Sequence, residues 1–188
     1  MTYMCPNNKA GLSIHISASE HALLLNKTER IPIPGLESQY LMGVDVFHQL
    51  HCLNMLRKAL YPGRYPSSAL KSADGKSVNY GSWLHLDHCI ESLRQSLTCH
   101  SDTSPNTFRW LQDTKILEPS LGTVHICRNF SRIREWTSAR FVDVDPAARR
   151  RHVEKDGEIV DYADRPNPEV APHAGDPPEE WRGDLDDL

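Results

Sequence analysis

Two stretches of this chain, 37 residues apart, carry the same uncommon pattern. The first reads His48-Gln49-Leu50-His51-Cys52-Leu53 and the second His85-Leu86-Asp87-His88-Cys89-Ile90. The match runs on: Leu56-Arg57 aligns with Leu93-Arg94, and Leu60 with Leu97. A chance recurrence of two histidines and a cysteine in step with these leucines is improbable. The repeat therefore constrains the fold, because whatever structure suits the first copy must suit the second.

That structure reads as a helix. Val44, Phe47, Leu50, Leu53, Leu56 and Leu60 recur at helical spacing, and Tyr61-Pro62-Gly63 ends the run. Trp83, Ile90, Leu93 and Leu97 follow the same spacing in the second copy. Residues 66–81 between them are rich in Ser, Lys, Gly and Asn and read as a surface loop. A third helix is expected from Arg128 to Arg140, with Phe130, Ile133, Trp136 and Thr137 on one face. Short strands are expected at Ser13–Ile16, Thr107–Trp110 and Thr123–Ile126. The fold class is thus mainly α with short β-strands: a small helical domain in which the two HxxHC helices face each other.

The spacing has a chemical meaning. Residues i, i+3 and i+4 share a helical face, so His48, His51 and Cys52 lie together, as do His85, His88 and Cys89. Two such faces opposed would gather four imidazoles and two sulfurs, the way metal sites are assembled between helices of a bundle. Imidazole suits copper, zinc, iron and nickel, whereas hard ions need carboxylates. Asp87 is the only acid within either motif, and its helical position turns it away from the histidines. The expected ligands are His48, His51, His85 and His88, with Cys52 and Cys89 as further candidates. The expected cofactor is a metal ion, copper first, with zinc or iron as alternatives. Against this stands the plainer reading that a histidine pair on a helix is a hydrogen-bonded interior pair.

Cys52, Cys89, Cys99 and Cys127 form an even set, which invites two disulfides in any of three pairings. A Cys89–Cys99 bridge is disfavoured if one helix carries both, about 15 Å apart. The alternatives are thiolate ligands or small buried apolar side chains. His100, Asp102 and His125 follow the motif helices and are candidates for orienting an imidazole. Trp83, Tyr80 and Trp110 fit a substrate pocket or the core, and Arg57 and Arg94 fit the solvent side.

Charge divides the chain. Residues 143–188 hold 14 acids against 6 bases and six prolines, while residues 1–142 hold 11 acids against 15 bases. The first composition buries too little apolar surface to offset chain entropy. The expected organisation is an N-terminal extended segment over 1–40, including Ile31-Pro32-Ile33-Pro34-Gly35, a core over 41–142, and a largely disordered acidic tail over 143–188. A short helix near Ala147–Lys155 is expected in the tail, or else an arm held to the body by Tyr162 or Trp181. The net charge of −4 excludes a general nucleic-acid binder.

HQLHCLNMLR, LDHCIESLRQSLTCHSD and HICRNFSRIREW together resemble the fungal UstYa-like mycotoxin-biosynthesis family over about residues 40–142. The resemblance implies an oxidase tailoring secondary metabolites, by oxidative cyclisation of peptides, hydroxylation, dehydrogenation or halogenation. It brings Cys99, Asp102, His125 and Cys127 along as pattern positions. Members of the family usually begin with a membrane helix. Here no run approaches the roughly 20 apolar residues of a span, and no secretory leader is visible, so the expectation is a soluble chain of unknown location.

The leading expectation is a metal-dependent oxidoreductase acting on a small-molecule or peptide biosynthetic intermediate, working as a homodimer or beside another family member. One alternative is a non-oxidative cyclase or dehydratase using histidine as acid and base. Another is a structural metal or disulfide module that partners a pathway enzyme.

Overall fold

The computed structural model describes residues 13–71, 79–120 and 122–162. Ile14–Ile16 forms β1 and Tyr40–Met42 forms β2, paired antiparallel with Ile14 opposite Met42. Phe141 bridges to the other edge of β1, where His15 N–H donates to Arg140 O at 2.9 Å and Val142 N–H to Ser13 O at 3.0 Å. This leaves Ile14 and Ile16 buried between neighbours on both sides.

A short helix α1, Ala18–Ala22, lies in what the sequence presents as an extended segment. Its cause is local. Ser17 Oγ accepts from the Glu20 N–H while the Glu20 carboxylate accepts from the Ser17 N–H, a reciprocal cap that satisfies two orphan donors.

The two repeat helices are α2, Asp45–Ala59, and α3, Tyr80–His100. The Asn79 side chain accepts from Ser82 N–H at 3.2 Å to start α3, and Ser101 closes it in a left-handed conformation at φ 39°. Asn79→Ala is expected to cost about 1 kcal/mol, read as a lower urea midpoint with an unchanged slope.

Phe47 and Cys52 on α2 and Leu86 and Cys89 on α3 are buried. The leucine stripe of the repeat is not: Leu53 is 48% exposed and Leu97 73%. The motif face, rather than the leucine face, is turned between the helices.

β3, Phe108–Leu111, pairs antiparallel with β4, Ile116–Pro119, across a tight turn in which Lys115 adopts φ 54°. The expected strand at Thr123–Ile126 is not one. It runs as irregular chain with Val124 and Ile126 exposed, because the partner for β3 comes from the nearer segment. Helix α4, Phe130–Ser138, is capped by the Asn129 side chain; its Thr137 is buried, and Phe130 meets Phe47 with ring centroids 5.7 Å apart.

The start of the expected disordered tail is ordered. Instead of a helix over 147–155, a 3-10 turn at Ala148–Arg150 leads into β5, Arg151–Val153, which pairs with β6, Ile159–Asp161. Ala148 and Val153 are buried, and the Arg30 guanidinium reaches Glu154 O at 3.5 Å. Two small apolar side chains suffice to anchor a hairpin whose backbone groups pair with one another. Its turn holds Gly157 at φ +95°, where a Cβ would be strained. Tyr162, the expected anchor to the body, bonds instead within the tail, with its N–H on Arg150 O at 2.8 Å and its hydroxyl on Glu154 at 3.1 Å. Trp181 lies outside the described residues.

Candidate metal centre

The motif positions are built from the helices upward. On α2, His48, His51 and Cys52 share a face by spacing alone; on α3, His85, His88 and Cys89 do the same. The rings then meet in crossed order. His48 stands against His88 with centroids 5.0 Å apart, and His51 against His85 at 5.4 Å. Within each helix the two rings are 6.5 and 6.4 Å apart. This crossed pairing makes α2 and α3 antiparallel and relates the two motifs by an approximate twofold axis. Each ring contact on one side has its counterpart on the other.

The axis passes through the thiols. Cys52 and Cys89 occupy equivalent positions, both fully buried, with the two thiols near enough to influence each other. Burial, and then the Cys52 thiol beside it, push the Cys89 thiol up to about 12, so it stays protonated at neutral pH. Burial also lowers His51, helped by the neighbouring His85, His48 and Lys58 charges. Its imidazole is thereby held neutral, the form that ligates a metal.

The halves differ in their surroundings. His48 Nδ1 faces Ser92 Oγ at 3.4 Å and Asp45 at 3.9 Å, which directs its Nε2 inward. That nitrogen lies 3.1 Å from His88 Nε2 and 3.6 Å from Cys52 Sγ. A polar partner on the outer nitrogen is how metal-binding histidines are fixed in orientation. The repeat-equivalent positions of Asp45 and Ser92 are Ser82 and Met55, so the second half lacks this pair. Sequence reasoning did not single out Asp45 or Ser92, although Asp45 sits three residues before His48, on its face.

These donors fit a transition metal. The ligand atoms of His48, Cys52 and His88 all lie within 4.8 Å of one another. Two nitrogens bound tetrahedrally at about 2.0 Å stand about 3.3 Å apart, close to the separation of the His48 and His88 nitrogens. The set is imidazole and sulfur, the donors of copper, zinc and iron. His88 is exposed and the other three imidazoles half-buried, so one side of the cluster opens to solvent.

Other candidates lie elsewhere. His100 is 12 residues beyond His88 on α3, roughly 18 Å along the axis, and its Nδ1 meets Ser96 O at 2.9 Å. Asp102 and His125 pair with each other at 2.5 Å rather than with a motif imidazole. Bonds from Ser104 first, and then from His125, hold the Asp102 carboxyl down to about 2. No disulfide joins Cys52, Cys89, Cys99 or Cys127 in this structure. Arg94 pairs with Glu91 at 2.7 Å on the solvent side, Arg57 lies 5.3 Å over the Tyr65 ring, and Trp110 is exposed on β3. No described helix is long and apolar enough to cross a membrane.

Two antiparallel helices closing four imidazoles over a thiol pair define a helical-hairpin protein with the donor set of a soft or borderline metal. Residues 9–140 match the profile of a family described as mycotoxin biosynthesis protein UstYa, and the chain belongs to that family. It is 36% identical over 110 residues to the UstYa family oxidase aprY of Aspergillus flavus, covering 57% of this chain and 32% of that one. It is 34% identical over 127 residues to the UstYa family oxidase phomYc of Diaporthe leptostromiformis, covering 64% and 48%. A third relative, the transacylase cctO of Talaromyces islandicus, is 31% identical over 134 residues, covering 64% of this chain and 43% of its own length. The chain thus spans less than half the length of these three relatives. No solved structure matches it.

Proposed function

We propose that this chain is a metal-dependent tailoring oxidoreductase of secondary metabolism, acting on a peptide or small-molecule biosynthetic intermediate. The observation that carries it is the convergence of His48, Cys52 and His88 with their ligand atoms within 4.8 Å, flanked by His51 and His85. His48, His51, His85 and His88 would hold the ion, for which copper is the preferred match to four imidazoles. When bound, such an ion supplies the one-electron redox change that an oxidase needs.

The chain's own residues have separate tasks. Asp45 and Ser92 aim His48, burial keeps His51 unprotonated, and the thiols of Cys52 and Cys89 fill the space between the helices beneath the rings. The open side at His88 admits substrate. The names of aprY and phomYc as oxidases favour this reading. The exposed stripe of Leu50, Leu53, Ile90 and Leu97 supports pairing with a second copy or another family member.

The test is elemental analysis of the purified protein beside its His48→Ala variant. Copper near one per chain, lost together with turnover in the variant, is the expected result. An active variant free of metal would overturn the reading. The transacylase among the relatives favours a second reading, a non-oxidative reaction with the histidines as acid and base. Turnover that persists without oxygen and under chelation would select it.

A further inference from the structure

The pairing of β3 with β4 does not stop at the strand ends. Phe108 stands opposite Pro119; beyond them Ser120 N–H donates to Thr107 O at 2.7 Å, and the Thr123 hydroxyl to Pro105 O at 2.8 Å. Next along the same two arms, His125 Nδ1 meets Asp102 Oδ2 at 2.5 Å. Every step back along one arm is matched by about one step forward along the other. The arms therefore stay side by side from the hairpin to the end of α3.

Cys99 lies in the last turn of α3, three residues before Asp102, and Cys127 lies two residues after His125, whose carbonyl its thiol meets at 3.9 Å. A second observation agrees. His100 and Arg128 line one recess of about 590 Å³, together with Asp102, Ser104, Val124 and Ile126, so the residue next to each cysteine borders the same space. Cys99 and Cys127 are both exposed. The other two cysteines are buried as neighbours between the motif helices. Of the three pairings that four cysteines allow, the fold favours one.

We propose that Cys99 and Cys127 form a disulfide that clips the C-terminal end of α3 to the segment entering α4. A low-molecular-weight disulfide such as oxidised glutathione is the oxidant. One thiolate attacks it, releasing one glutathione thiol and leaving a mixed disulfide. The second thiolate then displaces the other glutathione. The two protein thiols lose two protons and two electrons in all, and the oxidant becomes two thiols. The clip closes a loop around the β3–β4 hairpin and fixes the Asp102–His125 pair inside it. It does not depend on the metal reading, since neither cysteine belongs to the repeat.

The full chain, equilibrated with oxidised glutathione, is alkylated without reduction, digested with trypsin and mapped by mass spectrometry. The expected species joins residues 95–109 to residues 116–128, two hydrogens lighter than the separate peptides, and disappears on reduction. In Cys127→Ser it is absent and Cys99 is recovered alkylated or as its glutathione adduct. Recovery of both wild-type peptides as alkylated thiols or as unlinked glutathione adducts overturns the proposal. So does a bond from Cys99 to Cys5, Cys52, Cys89 or a second chain. The wild-type map is decisive even if the variant does not fold.

Discussion

His88→Ala is expected to weaken copper binding by well over the roughly 10- to 100-fold that loss of an orienting partner costs. The substitution removes the nitrogen 3.1 Å from His48 Nε2, and with it one of the three donors that lie closest together. Ser92→Ala is the matched comparison. Its hydroxyl touches only the outer nitrogen of His48, at 3.4 Å, so a bound ion would keep its ligands and lose only their orientation. A competition titration against a chelator of known affinity measures both, with circular dichroism to check that α2 and α3 persist. Equal affinity in His88→Ala and the parent protein would remove this imidazole from the ligand set.

Phe47→Ala is expected to cost about 3–5 kcal/mol of folding stability. Phe47 is 1% exposed, projects from the first turn of α2 and meets Phe130 of α4 in a tilted ring contact. The described core is small, and a ring lost there leaves a cavity between elements that share few other large side chains. Urea unfolding followed by tryptophan fluorescence measures the change. Phe130→Ala, at the exposed end of the same contact, should cost clearly less. Equal losses from the two would mean that Phe47 is not seated as described.

Much of the site was legible because it is written in helix periodicity. The i, i+3, i+4 spacing of His48, His51 and Cys52 fixes a shared face whatever surrounds it, and the second copy states the partner. What the spacing does not encode is direction. Only the packing shows that His48 meets His88 rather than His85. Asp45 and Ser92 were not legible, because one lies outside the repeated pattern and the other on the opposite helix. The leucine stripe misled for a related reason: periodicity marks an apolar face without saying what covers it.

Strands fared worse, since a strand exists only through its partner. Thr123-Val124-His125-Ile126 has strand composition but no neighbouring ladder, whereas Ile116–Pro119 acquires one through a tight turn from β3. The Ser17–Glu20 cap did lie in the sequence and marks α1 without any help from tertiary structure. The average composition of the tail points to disorder. Its first 20 residues are held by a few positions, Ala148, Val153, Gly157 and Tyr162, that an average conceals.

The near-twofold relation between the HxxHC helices bears on how such a cluster could originate. One helix bearing a single copy of the pattern, laid antiparallel against an identical helix, presents the same four imidazoles and the same central thiol contact. The cluster thus requires only one short peptide and its own duplicate; none of its ring contacts involves the strands or α4. Two copies within one chain need not stay identical, and Asp45 and Ser92 stand on one side only, with Ser82 and Met55 at the equivalent positions.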